Sequence, residues 1–409
     1  MIQLVEEKEN CCGCTACFSI CPKHAIEMKE DEEGFLYPII YDNLCIECGL
    51  CQKVCAFQHD SDPEADFEQR YFAVRIRDKN ALSSSSSGGV FTCLSDKVLA
   101  QGGTVFGAVF DKNFNVMHTT ARTEKQRNRM RGSKYVQSDM KLAFTDVVNS
   151  LRRGEVVMFV GSPCQVDGLK RYLFSEKIDI DNLLLCDFIC HGVSSPLVWR
   201  EYIALLENKL HGKIIKFKFR SKKYGWKKMK SHIYMERENG KEDISEIVNR
   251  KYSYLNIFSS LVSNRPSCFN CKYTSYNRES DITMADFWNI DSISSKMNDD
   301  AGVSTVLINT EKGNRWFEVA RESMEVIEIE KKDCWQPHLE YSCKCPAKRE
   351  QFWELYKKRG AEYILCKYAR GTFFSNMIRM VTPVLKKLGL YVLAGKVYNM
   401  VFGRKKYES

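Results

Sequence analysis

The chain has 409 residues, 44% of them hydrophobic, and a formal net charge of +9, which excludes a globally disordered chain and leaves room for two or three domains. The charge is concentrated: residues 366–409 hold nine Lys or Arg and one Glu, so the other 365 residues are almost neutral at +1, which argues against a nucleic-acid binder with a basic folded face. Nineteen cysteines, together with an acidic rather than basic first ten residues, predict a cytoplasmic protein without a secretory leader whose thiols serve metal sites.

The first elements in the chain are two cysteine runs. Cys11, Cys14, Cys17 and Cys21 follow C-x2-C-x2-C-x3-C with Pro22 next, and Cys45, Cys48, Cys51 and Cys55 repeat the spacing. In this bacterial ferredoxin run three thiolates hold one cubane and the fourth reaches across to the other. The spacing therefore assigns Cys11, Cys14, Cys17 and Cys55 to one 4Fe-4S cluster, and Cys45, Cys48, Cys51 and Cys21 to a second. Zinc sites take longer spacers between their C-x2-C pairs, so zinc and disulfides are poorer readings. Cys12 is out of register with Cys14 and reads as a spare thiol. Each run is expected to open a short helix. With strands over 26–28 and 37–40, these make a ferredoxin-type domain of residues 1–60.

Residues 61–69 are acidic, contain Pro63 and read as a linker. A larger unit follows. In its first part, 70–150, the pattern predicts a strand over 71–77, a Ser/Gly loop over 83–89 and a helix over 90–100. A hairpin over 103–110 and 115–121 and an amphipathic helix over 141–152 complete it. In its second part, 151–345, a buried strand over 155–160 runs into Gly161-Ser162-Pro163-Cys164-Gln165 and a helix over 166–174. A strand over 183–189 ends at Cys190-His191-Gly192. Then come a helix over 196–209, a strand pair over 214–220 and 232–237, strands over 282–286 and 305–309, and a helix over 314–323. Strands alternating with helices give a mixed α/β (α+β) core: a small dicluster domain followed by a larger mixed-sheet domain. Strand ends in such a sheet converge on one edge, where ligands bind. Cys164, Cys190 and the pair Cys268 and Cys271 are thus candidates for one further cluster, with buried thiols plus a small zinc clip as the alternative. Residues 346–409 read as a basic helical tail. Its apolar runs over 373–402 are broken by Lys386, Lys387 and Lys396, so it cannot cross a bilayer. It either lies on an anionic membrane surface or packs on its own domain.

Six segments in order are 84–91 (SSSSGGVF), 131–139 (RGSKYVQSD), 161–165 (GSPCQ), 187–196 (DFICHGVSSP), 268–272 (CFNCK) and 281–288 (DITMADFW). Together they resemble the family of coenzyme F420 hydrogenase/dehydrogenase beta subunits, in its bacterial branch. With the ferredoxin module the resemblance covers roughly residues 8–345. It implies an iron–sulfur flavoprotein with FAD beside a 4Fe-4S cluster. It points to Cys164, Cys190, Cys268 and Cys271 as that cluster's ligands, with Cys186 as the competitor of Cys190. Ser86, Ser87, Gly88 and Gly89 offer hydroxyls and backbone N–H groups to a flavin phosphate, and the helix start behind them favours an anion. Lys134, Gln137 and Ser138 are candidate flavin contacts, Lys134 as a cation near the reduced ring. His191 is a candidate proton donor to flavin or substrate, or a donor to a cluster sulfur. Asp286 and Trp288 are expected to line the pocket or support it. Cys343 and Cys345 are expected as unpaired loop thiols.

Clusters move single electrons and a flavin pairs them into a hydride equivalent. The expected path runs from a ferredoxin-like donor through the clusters to FAD and a two-electron substrate. That substrate is F420 or another organic acceptor, a sugar-linked intermediate of polysaccharide biosynthesis included. The resemblance thus implies a ferredoxin- or F420-linked flavin-dependent oxidoreductase. The alternative is a non-catalytic electron-transfer subunit that feeds a partner enzyme.

Overall fold

A computed structural model describes residues 3–59, 67–237, 242–246 (backbone path only) and 252–370. The tail expected over 373–402 and most of the 61–69 linker lie outside these residues. Among the described residues no helix is long and apolar enough to cross a membrane.

In the N-terminal unit β1 (Ile26–Glu30) and β2 (Leu36–Ile40) pair antiparallel, Ile26 opposite Ile40. Asp31 closes the turn by accepting from the N–H groups of Glu33 and Phe35 at 3.1 and 2.9 Å. The two expected short helices are Ala16–Ile20 and Leu50–Lys53. Each follows a left-handed residue, Thr15 at φ 71° and Gly49 at φ 73°, which turns the preceding cysteine loop back on itself.

The larger unit is organised by one mixed sheet. Its strands are β3 (Arg70–Ile76), β4 (Thr104–Phe110), β5 (Val116–Ala121), β6 (Val157–Val160), β7 (Leu183–Phe188), β11 (Ile282–Asp286), β12 (Ser304–Ile308) and β13 (Met324–Ile329), in the spatial order β13-β3-β12-β11-β7-β6-β4-β5. The central four strands, β4, β6, β7 and β11, run parallel. Of these, β6 (VMFV) and the first four residues of β7 (LLLC) read as continuous apolar runs because both faces are covered. On β7, Leu184 and Cys186 join the core under helices Val90–Ala100 and Glu311–Ala320, whereas Leu183 and Leu185 join the core under helices Ala143–Arg152 and Pro163–Ser175. Ala16, Ile20 and Val54 of the N-terminal unit belong to this second core, so the dicluster unit rests on that face. Strands from both sides of residue 150 share the sheet. Between β7 and β11 the chain builds a separate antiparallel sheet of β8 (Gly212–Ser221), β9 (Lys230–Arg237) and β10 (Glu242–Glu246). Trp199, Tyr202, Phe217, Phe219 and Tyr254 fill the core against it, and helices Arg349–Arg359 and Ala361–Ala369 close that core.

Three local differences from the expected elements have identifiable causes. The helix expected from 141 begins at Ala143 because Lys141 sits at φ 46°. The helix expected over 314–323 is Glu311–Ala320, started by the Thr310 side chain accepting from Gly313 N–H at 3.0 Å, and the chain then turns into the unexpected edge strand β13. The helix expected from 166 begins at Pro163, whose missing N–H suits a first turn, and the Gln165 amide oxygen accepts from Ser162 N–H at 2.9 Å. Cys164 therefore lies in the first helical turn rather than on the loop before it.

His118 on β5 is buried, stacks on Phe159 and pairs through Nε2 with the Val160 carbonyl at 3.0 Å. Burial pushes its pKa down to about 4, whereas the unfolded imidazole takes its proton near about 6.5. The stability this neutral ring contributes is complete above the unfolded value and is lost as pH falls through the window down to 4, by about 3 kcal/mol. Urea unfolding midpoints measured from pH 7 to 4 should fall less steeply for His118→Gln than for the native chain.

Candidate iron–sulfur and cofactor site

The eight cysteines of the two runs line two recesses. One recess is lined by Cys11, Cys14, Cys17 and Cys55, with Cys12 and Gly13 beside them. A second is lined by Cys21, Cys45, Cys48 and Cys51. Cys17 is raised by burial and by the facing thiols of Cys14, Cys11 and Cys55, and burial with Cys14 and Cys11 pushes Cys55 up to about 11. Cys51 is raised by burial and faces Cys48 and Cys21. Thiols so placed give up their protons to a metal centre rather than to water. Among the described residues no group of three or more His, Cys, Asp or Glu is close enough to hold a single metal ion. Four thiols around a recess have the ligand number and type that a 4Fe-4S cubane takes.

A third quartet stands at the sheet's edge. Burial raises Cys190, and its thiol faces Cys268, Cys164 and Cys271. Burial likewise raises Cys268, and pushes Cys271 up to about 11. Three segments supply these thiols: the first turn of helix Pro163–Ser175, the residue pair after β7, and the 3-10 turn Pro266–Asn270 with Cys271 at its end. Cys186 stands apart, fully buried on β7 opposite Ile282. Cys343, which the sequence left as an unpaired thiol, donates to the His191 carbonyl at 3.3 Å and lies near Cys268 and Cys271. The His191 ring is exposed and packs edge-on to the His338 ring at 4.3 Å.

The first and third quartets adjoin. Gly168, in the helix that begins beside Cys164, has no side chain because a Cβ there would stand 2.7 Å from the Cys14 sulfur. The buried Cys12 thiol hydrogen-bonds with both Cys14 and Cys164, lowering Cys14 and bringing Cys164 down to about 7. The Ser162 hydroxyl is also 3.2 Å from the Cys164 sulfur. Gln137 donates to the Cys12 carbonyl at 2.7 Å, and the Ser138 hydroxyl accepts from Gln165 at 3.0 Å, so both residues sit at this junction. Outside it, Arg349 pairs with Glu33, Ser195 donates to the Glu33 carbonyl at 2.5 Å, and Lys272 donates to the Ala56 carbonyl. These contacts fix the dicluster unit in one seat.

The Ser/Gly loop lies on the other side of the sheet edge. The Ser86 hydroxyl accepts from Ser133 N–H at 2.8 Å, and Ser87 donates to the Val303 carbonyl at 2.8 Å. Gly88 is required by packing: a Cβ would meet the Val74 carbonyl at 2.2 Å and Ser304 N at 2.6 Å. Gly89 is required by its left-handed φ of 86°. Cations gather here. Lys134 donates to the carbonyls of Met130, Arg131 and Gly132 and lies over the Phe110 ring at 5.8 Å, and desolvation brings it down to about 7. Lys222 donates to the Leu82 and Ser87 carbonyls and is also brought down to about 7, by desolvation and then by Arg220. Arg220 pairs with Asp286 at 2.5 Å, yet its Nε and Nη2 are buried without a hydrogen-bond partner. Trp226 stacks on Trp288 at 4.8 Å and donates to Asp286 at 2.9 Å. Half-buried Lys134 and Lys222, with the unpartnered Nε and Nη2 of buried Arg220, beside a helix start fit an anionic group such as the FAD diphosphate. Arg220 and Lys222 escaped the sequence reading because they lie in an otherwise unremarkable basic strand end.

Comparisons with known proteins bear on this arrangement. Residues 154–333 match the family model described as the C terminus of the coenzyme F420 hydrogenase/dehydrogenase beta subunit, and residues 10–59 match that of a 4Fe-4S dicluster domain. An F(420)H(2) dehydrogenase subunit of Methanosarcina mazei is 23% identical over 343 residues, spanning 79% of this chain and 86% of that protein. An uncharacterised ferredoxin of Methanocaldococcus jannaschii is 33% identical over 55 residues, 13% of this chain and 69% of its own length. A chain of the xenon-derivatised F420-reducing [NiFe] hydrogenase complex from Methanosarcina barkeri aligns at a TM-score of 0.41 and 18% identity, covering 74% of this chain and 92% of that one. Residues 154–333 therefore form the C-terminal domain of the coenzyme F420 hydrogenase/dehydrogenase beta-subunit family, and ahead of it the chain carries a 4Fe-4S-binding electron-transfer module.

Proposed function

We propose that this chain is an iron–sulfur flavoprotein oxidoreductase that takes electrons from a ferredoxin-like donor and delivers them in pairs to F420 or another organic acceptor. In this reading residues 1–60 are the entry module, and 70–150 with 151–345 together hold FAD and a third 4Fe-4S cluster. Residues 346–409 form a basic tail that packs on the chain or touches a membrane surface in the cytoplasm. Cys11, Cys14, Cys17 and Cys55 hold the first cluster, Cys21, Cys45, Cys48 and Cys51 the second, and Cys164, Cys190, Cys268 and Cys271 the third. The exposed Cys48 marks the face where a donor docks. The flavin would supply the conversion between one- and two-electron chemistry. Ser86, Ser87, Gly88, Gly89, Lys134 and Lys222 hold its phosphates. Gln137 and Ser138 order the cluster side, and His191 is positioned to move a proton at the solvent edge.

The observation that carries this reading is the junction itself: a Cβ on Gly168, one turn beyond Cys164, would stand 2.7 Å from the Cys14 sulfur, so two of the three quartets adjoin. The test is anaerobic purification, flavin release by denaturation, and oxidation of reduced viologen with F420 or sugar-linked acceptors. About one FAD per chain and acceptor-dependent turnover are expected; a flavin-free chain overturns the flavin assignment. A second reading, a non-catalytic subunit that feeds a partner enzyme, is favoured by the relative that is itself named as a subunit. It would be marked by bound flavin with no turnover of any acceptor until the partner is added.

A further inference from the structure

We propose that Arg265 is a fixed positive charge held against the first cluster, which raises that cluster's reduction potential relative to the second and ties it to the third. The proposal rests on the reading that Cys11, Cys14, Cys17 and Cys55 hold a 4Fe-4S centre.

The Arg265 side chain is 1% exposed. Its Nε donates to the Cys11 carbonyl at 2.7 Å, Nη1 to the Gln137 amide oxygen at 2.9 Å, and Nη2 to the Leu36 carbonyl at 3.0 Å and the Cys11 sulfur at 3.5 Å. The guanidinium lies over the Tyr37 ring at 4.2 Å and the Phe35 ring at 5.3 Å. None of these partners is a carboxylate. The other deeply buried arginines differ: Arg127 faces Asp96 at 2.7 Å, Arg278 faces Asp187 at 2.9 Å and Arg220 faces Asp286 at 2.5 Å. A buried charge without a counter-charge costs several kcal/mol. The chemistry within reach that can balance it is the thiolate set of the first quartet.

Two further features fit a built site. Gly13, at φ 66°, sits where a Cβ would stand 2.9 Å from Arg265 Nη1, so the cysteine loop is shaped around the guanidinium. The Arg265 backbone carbonyl accepts from Cys268 N–H at 3.0 Å, and its N–H donates to Val193 O at 3.0 Å. One residue thus joins the loop of the first quartet to the loop of the third. Reduction adds one negative charge to a cluster. A fixed cation in a low-dielectric site favours that step most for the nearest cluster. The second quartet, which Arg265 does not touch, should feel it least. Arg265 acts through the cluster's field and is a positioning residue, not a catalytic one.

The experiment is a redox titration followed by electron paramagnetic resonance on the anaerobically purified full-length protein, with the signals assigned by ligand-to-Ser variants in one quartet at a time. Arg265→Gln is expected to shift the first cluster's reduced-to-oxidised ratio at least tenfold towards oxidised, about 59 mV for a one-electron couple. The second cluster should stay in place and the iron content should be native. Arg265→Lys should recover at least half of the shift. Gly13→Ala keeps the charge but pushes the guanidinium off Cys11, and should move the same cluster in the same direction by less. An unmoved first cluster in Arg265→Gln, or equal shifts of all clusters, overturns the proposal. Should that variant assemble no clusters, Gly13→Ala decides by the same criterion. A native chain without clusters would instead overturn the reading beneath it.

Discussion

Cys190→Ser is expected to release four of about twelve irons per chain and to bring acceptor-linked turnover to background, whereas Cys186→Ser keeps the native iron content. The contrast comes from where the two thiols point. Cys190 leaves β7 at its end and faces Cys268, Cys164 and Cys271. Cys186 is four residues earlier, inside the strand, packed in the core with Leu184 and Ile282. Its replacement by serine buries a hydroxyl in an apolar site, which costs about 1–3 kcal/mol without touching a ligand. Iron and acid-labile sulfide assays on anaerobic protein, with thermal unfolding alongside, separate the two results. Equal iron loss from both variants would place the ligand elsewhere on the strand.

Arg278→Met is expected to destabilise the chain by about 3–5 kcal/mol, because removing one partner strands a buried charge. The Arg278 guanidinium lies 2.9 Å from Asp187, and each side chain is 1% exposed. Burial raises the Asp187 carboxyl although Arg278 pulls it down, so without the arginine its charged form has no counter-ion. Arg278 also donates to the Tyr273 carbonyl at 2.8 Å and the Phe188 carbonyl at 3.1 Å. It thereby ties the loop behind Cys271 to the strand end before Cys190. The double variant Arg278→Met with Asp187→Asn should recover part of the loss. Denaturant midpoints with an unchanged slope check the first result, and a single variant within 1 kcal/mol of native would show that the pair is not holding this corner.

The parts of the molecule that follow a period or a spacing were legible in the sequence. The doubled cysteine run implies crossed sets by its spacing, and Cys21 and Cys55 each line the recess of the other run. Strand alternation and apolar runs placed most of the sheet, and the edge strand β13 was missed although its residues alternate (MEVIEI). Features made by tertiary approach were not legible. Gly88 reads as a phosphate-loop glycine, yet close packing on β3 and β12 already requires it. Gln137 reads as a flavin contact from its motif, but its amide joins Cys12 to Arg265. Arg265 is a single basic residue before the 3-10 turn Pro266–Asn270, and Lys222 is one of several in a basic stretch (RSKK), so no pattern marks either as a cation drawn inward. Cys12 falls outside the ligand spacing, and spacing is silent about a thiol buried beside two others from separate segments.

The most direct test of the whole account is an anomalous-scattering map at the iron edge from crystals grown without oxygen. Three iron centres are expected, one within each quartet, with the first and third meeting across Cys12. Iron confined to the two N-terminal quartets, or a single zinc ion among Cys164, Cys190, Cys268 and Cys271, would contradict it.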